Sequence, residues 1–210
     1  MSSGTFYFII AIVPAIILHE VSHGFVANLC GDPTAKEQGR LTLNPLRHID
    51  PFGTLLLPLL LILTGLPAFG YAKPVPVNVS RLRHPRRDGL FVSFAGPLTN
   101  LILSFIGFVV ATIGIHSNDQ MIMINFGVSF GLVNLTLAAF NLLPIPPLDG
   151  SAIIERFIPQ RKLGVYYYYR SRAIPFVMVL VILDSMFFHI GTNFLSDLQN
   201  WWINRLIKGF

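Results

Sequence analysis

Residues 6–18 are thirteen consecutive apolar residues that run directly into His19-Glu20-Val21-Ser22-His23. Nothing else in the chain constrains it as much. The apolar stretch containing them, residues 5–30, exceeds the ~20 residues a helix needs to cross ~30 Å of hydrocarbon. Polar groups are expensive in that medium and are kept there for function. On a helix, positions four apart share a face, so His19 and His23 aim two imidazoles at one point. Zinc accepts such nitrogens at about 2.0–2.1 Å and leaves room for a third ligand and a water. Glu20 projects about 100° further round the helix. There it flanks the water without touching the metal, as a general base should. The same pattern arises by chance in many proteins, but chance is a poor account of it at the end of a lipid-grade helix.

Three further stretches are long enough to span: residues 89–115, 121–143 and 174–194. A fifth, residues 52–66, is shorter and carries Pro58, so it is either a short span or a re-entrant hairpin. Composition agrees, with 12% charged and 53% hydrophobic residues and a mean hydropathy of +0.63. Soluble domains carry about 25% charged residues. The expected fold is therefore an all-α polytopic membrane protein with four spanning helices, the short segment, and small extended segments near the site. It forms one membrane-embedded unit over residues 1–210, with a catalytic core at about 5–159 and a C-terminal helix and tail at 174–210. No connection is long enough for a separate soluble domain. The first stretch lacks the basic start of a signal peptide. A single cysteine, Cys30, excludes an internal disulfide framework. The net charge of +5 comes from loops without any run of five like charges, so no nucleic-acid partner is expected.

Loop charge and site geometry together choose a topology. Lys73, Arg81, Arg83, Arg86 and Arg87 against Asp88 give residues 67–88 a charge of +4. Residues 144–173 carry +3, the link 116–120 carries −1 through Asp119, and residues 31–51 are neutral. Both treatments of 52–66 keep the two basic connections together. Only the re-entrant one also turns His19, His23 and Asp149 towards the same face, with the basic side cytoplasmic. His19 then lies about 21 Å along the first helix from Thr5, inside the membrane, nearer its cytoplasmic boundary. Water must reach it through a protein-lined cavity. Residues 39–45 and 73–79 read as extended, with Pro74 and Pro76 limiting the second to an edge strand or polyproline form. The tail 198–210, with Trp201, Trp202, Arg205 and Lys208, suits an interfacial helix.

Two histidines need a partner, and Asp149 in Asn141-Leu142-Leu143-Pro144-Ile145-Pro146-Pro147-Leu148-Asp149-Gly150 is the best placed. Three prolines end the preceding span, and Gly150 lets the chain turn to present the carboxylate. The other reading makes Asp149 a turn or helix-cap residue. The rival ligand, Asp50, reads as the start of the short segment. His84 and His116 read as loop histidines and Glu155 as an exposed helix residue.

His19-Glu20-Val21-Ser22-His23, the Asn141 to Gly150 stretch and Ala95-Gly96-Pro97-Leu98-Thr99-Asn100 together resemble the site-2 protease family of intramembrane zinc metalloproteases. The third of these matches that family's Gly-x-x-x-Asn motif. The resemblance covers residues 6–159. It implies one Zn²⁺ held by His19, His23 and Asp149, with Glu20 as catalytic acid/base and Asn141 holding the substrate carbonyl or its oxyanion. The PDZ and cystathionine-synthase-type domains of some members have no counterpart in the chain, so a minimal form is expected. The implied activity is hydrolysis of peptide bonds within or next to transmembrane segments of protein substrates, in a multi-pass protein of the cell membrane with its site towards the cytoplasm. From the residues alone, Asn141 equally suits an interhelical hydrogen bond, and Gly96 and Asn100 suit close helix packing. Asp184 and His189, costly in lipid, are expected to pair inside the bundle or face a polar crevice. A metal transporter also places His and Asp within membrane helices, and a scaffold can keep a metal for folding alone. Neither needs a glutamate beside the metal's water.

Overall fold

A computed structural model describes residues 3–65, 71–117 and 120–208. Three long helices form its frame: α1 (Ser3–Leu29), α4 (Pro85–His116) and α5 (Met121–Asn141). All three are long and apolar enough to cross a membrane. Small residues bring α4 and α5 into backbone contact. A Cβ on Gly107 would lie 2.5 Å from Gly131 N, and one on Gly127 would lie 2.5 Å from Ala111 N. Such residues let membrane helices approach closely where lipid offers no hydrophobic drive. Ala11 and Ala15 bury α1 against Phe130 and Val133 of α5.

Between α1 and α4 the chain forms α2 (Thr34–Glu37), a π-helical turn (Pro51–Leu56) and α3 (Leu57–Leu63). The turn and α3 are six and seven residues long, about 20 Å together and too short to cross. Asp50 starts them by accepting from Phe52 N (3.1 Å) and Gly53 N (2.7 Å). The chain then returns to its entry point. Tyr71 N–H donates to Gly53 O (3.1 Å), and Thr54 Oγ1 donates to Tyr71 O (2.9 Å). The two described ends of the segment thus lie together, as the re-entrant form expects. The far end of the segment, with Leu66, and Asp119 in the α4–α5 link lie outside the described residues.

No strand forms among the described residues. Residues 71–78 run against α1 without a ladder, pinned by single bonds. Lys73 N–H donates to His48 O (2.9 Å), Arg40 Nη2 to Lys73 O (2.9 Å) and Asn78 N–H to Asp32 Oδ2 (2.6 Å).

The C-terminal third differs from the sequence expectation. After α6 (Ser151–Phe157) come α7 (Leu163–Arg170) and α8 (Ile174–Leu183). Residues Gln160–Arg170 and Ile174–Phe188 form a pair bent by 61°, a fourth span if counted as one broken helix. The run 174–194 is not one helix. His189 takes φ +55°, and Asp184 accepts from Ile190 N (2.9 Å), Gly191 N (3.0 Å) and Thr192 N (3.1 Å). Asp184 thus caps α9 (Ile190–Lys208) at a helix junction, and the exposed His189 Nδ1 lies 3.0 Å from the Asp184 carbonyl oxygen. The tail also packs onto the bundle through one face. Trp202 and Leu206 are buried against Phe108, Ala111 and Leu135, while Trp201 stays exposed. A Cβ on Gly131 would run into the Trp202 indole, so that glycine makes the berth for α9.

Candidate metal centre

One turn apart on α1, His19 and His23 are 8% and 9% exposed, with their Nε2 atoms 3.1 Å apart. α5 ends at Asn141, and the proline-rich stretch folds back over that end. Gly150 N–H donates to Asn141 O (2.7 Å), and a Cβ at Gly150 would collide with the Leu142 carbonyl. This tight return carries Asp149 to α1. Its Oδ2 lies 3.2 Å from His19 Nε2 and 3.4 Å from His23 Nε2.

α4 supports the pair over three successive turns. His23 Nδ1–H donates to Val92 O (2.6 Å), and His19 Nδ1–H donates to Asn100 Oδ1 (2.5 Å). Between them sits Gly96, where a Cβ would stand 2.5 Å from His19 Cε1 and 2.6 Å from His19 Nε2, and closer still to His23 Nε2. Gly96 leaves room for two rings rather than for a neighbouring helix.

The donor set fits a metal ion. Asp149 Oδ2 is buried with no hydrogen-bond partner, and each histidine has spent its N–H at Nδ1. Three lone-pair atoms therefore converge with separations of 3.1–3.4 Å. Tetrahedral ligands at 2.0–2.1 Å from one ion stand ~3.3–3.4 Å apart, and two imidazoles with a carboxylate are a zinc donor set. Among the described residues this is the one group of histidine, cysteine or carboxylate side chains arranged so.

Glu20 is half-buried beside the group, its Oε2 accepting from Val75 N–H (2.8 Å). Residues 71–78 sit tightly here, since a Cβ on Gly24 would lie 2.6 Å from Val75 Cγ1. Glu20 and Asn141 line the same cavity of about 760 Å³ as His19, His23 and Asp149. Asn141 Nδ2 donates one hydrogen to Leu137 O (3.0 Å); its second amide hydrogen is uncommitted by that bond. Asp50 takes no part, being the cap of the re-entrant segment. Glu155 is not the exposed helix residue expected. It is half-buried in the cavity wall, accepts from the Tyr167 hydroxyl and pairs with Arg170 at 3.1 Å.

The sequence reading assigns Val92 and Asn134 no part in the site, and Val75 only a place in an extended segment. Val92 and Val75 act through backbone atoms, which no side-chain pattern reports. Asn134 bonds between helices, accepting from Asn100 (2.7 Å).

Comparison with known proteins gives a single answer. The model of "Peptidase family M50" matches residues 7–118 and 111–183. The chain is 45% identical over 162 residues to "Putative zinc metalloprotease YwhC" of Bacillus subtilis, covering 73% of this chain and 69% of that protein. It is 33% identical over 189 residues to "Putative zinc metalloprotease Rip2" of Mycobacterium tuberculosis, covering 88% and 70%. With Rip2 of Mycolicibacterium smegmatis it shares 29% identity over 192 residues, covering 89% and 72%. No solved structure matches significantly.

Proposed function

The chain belongs to peptidase family M50, and from that membership and the geometry of the centre we propose that this membrane-embedded zinc metalloprotease hydrolyses peptide bonds within or next to transmembrane segments of other proteins. His19, His23 and Asp149 hold the ion. The observation that carries the reading is their convergence, with the carboxylate oxygen unpartnered, in a cavity that also contains a glutamate.

Zinc held there would polarise a substrate carbonyl and lower the pKa of a water to about 7. Glu20 takes a proton from the attacking water at its carboxylate and delivers it to the amide nitrogen as the C–N bond breaks. The hydroxyl stays on the acyl carbon, so the products are an acid and an amine. The free amide hydrogen of Asn141 serves the developing oxyanion. Protein walls admit water to a depth where lipid would exclude it. The excess of basic residues in the connections supports an orientation with this end of the bundle towards the cytoplasm of the cell membrane.

Glu20→Gln tests the reading. Purified unaltered chain and variant should each carry one zinc, and only the unaltered chain should cut a transmembrane peptide. Mass spectrometry of membrane peptides from cells carrying each chain should show products with the unaltered one alone. Equal cleavage by the variant would overturn the assignment.

A further inference from the structure

We propose that Asn100, itself oriented by Asn134, is the positioning residue that fixes His19 as a metal ligand; this rests on the zinc reading above. Backbone carbonyls only accept. Asn134 Nδ2 lies 2.9 Å from Phe130 O, so the amide must turn its nitrogen there and its oxygen towards α4. That oxygen accepts from Asn100 Nδ2 (2.7 Å), which also reaches Ala15 O (3.4 Å). With its nitrogen committed on both counts, Asn100 can present only Oδ1 to His19. Nδ1 of the ring must then carry the proton, and Nε2 is left with the lone pair aimed at Asp149 Oδ2.

Burial enforces these directions. Asn100 and Asn134 are both 0% exposed, so no water substitutes for a lost partner. Rotating the Asn100 amide would set its oxygen against Asn134 Oδ1 and Ala15 O. It would also offer donors to Nδ1, moving the ring proton to Nε2, where the ion belongs. His23 needs no such relay, because Val92 O is itself a pure acceptor. The Gly96-x-x-x-Asn100 spacing therefore has one purpose: room for the rings, and one turn later the acceptor that sets the tautomer of the first.

A plain packing role would also use asparagines between α1, α4 and α5, so the test must separate the two. Zinc affinity is measured by chelator competition on the detergent-purified full chain, with the visible spectrum of the Co²⁺ form and circular dichroism in parallel. Asn100→Leu should weaken zinc by about 10–100-fold, the usual cost of losing such a partner. Asn100→Asp should lose less zinc affinity than Asn100→Leu, because one carboxylate oxygen still accepts from His19 although the other now faces Asn134 Oδ1 and Ala15 O. Asn134→Leu should weaken zinc in the unaltered background and cost nothing further in the Asn100→Asp background.

Equal loss in Asn100→Leu and Asn100→Asp would overturn the inference, as would an Asn134→Leu cost that is the same in both backgrounds. Unchanged affinity in Asn100→Leu would do so too. Should Asn100→Leu fail to fold, the two Asn134→Leu comparisons decide. Should Asn100→Asp fail to fold, Asn134→Leu in the unaltered background decides, and unchanged zinc affinity there overturns the inference. An unaltered chain that binds no zinc overturns the zinc reading first.

Discussion

On one side of the cavity, α1, α4 and α5 surround His19 and His23 with buried acceptors, and every ring nitrogen has one assigned direction. On the other, Glu20 leans on one backbone N–H from residues 71–78, an irregular segment without strand pairing. The far wall is α7 with half-exposed α8, tied to α6 through Glu155. The ligand side is built for a single geometry, because an ion tolerates little variation in its ligands. The base and substrate side is held by fewer and weaker ties, as suits a surface that must receive a polypeptide. If the two sides differ in this way, substitutions on the first should abolish metal binding, whereas those on the second should leave the metal and slow cleavage.

Gly96→Ala carries the largest expected effect. Alanine is the better helix former by up to ~1 kcal/mol, so α4 should persist. Its methyl group, however, would overlap both imidazoles. Zinc affinity should fall about a hundredfold or more with helical content unchanged, read by chelator competition and circular dichroism. Retention of zinc would show that the ligand side yields as easily as the other, and the contrast would be gone.

Much of the ligand side is legible in sequence because its logic is local. His19 and His23 share a face through helical period alone, and the proline run before Asp149 announces a turn. What faces their Nδ1 atoms is not local. Val92 contributes a carbonyl that any residue possesses, and the need for glycine at 96 appears only once α4 crosses α1. Hydropathy also misjudged residues 174–194, since an apolar average does not register one carboxylate gathering three N–H groups at Asp184. The return of Tyr71 to Gly53 agrees with the out-and-back path expected from the segment's length and from the requirement that one site form.

The next largest effect falls on the weaker side. Val75 lies between Pro74 and Pro76, and a residue before proline already favours extended backbone, so Val75→Pro removes the N–H with little other change. A hydrogen bond to a charged group is worth about 1.5–3 kcal/mol, or about ten- to a hundredfold in rate. Cleavage should fall within that range while zinc affinity stays put. Val75→Ala controls for the buried side chain and should cost less. Loss of zinc in Val75→Pro would mean that the two sides are one mechanical unit.

Tyr167→Phe should have the smallest effect, and it probes the outer wall alone. The hydroxyl donates to Glu155, but Arg170 remains at 3.1 Å from the same carboxylate. Removing the hydroxyl therefore does not strand a charge, and the loss should not exceed that of a single net hydrogen bond, about 1 kcal/mol or roughly fivefold. Because the bond ties α7 to α6 and touches no ligand, the change should appear in KM for a transmembrane substrate, with kcat and zinc affinity unaltered. Glu155→Leu sharpens the result, since it releases Arg170 as well and should shift KM further in the same direction. A drop in zinc affinity from either variant would place Glu155 with the ligand side, and the boundary between the two regions would have to be redrawn through α6.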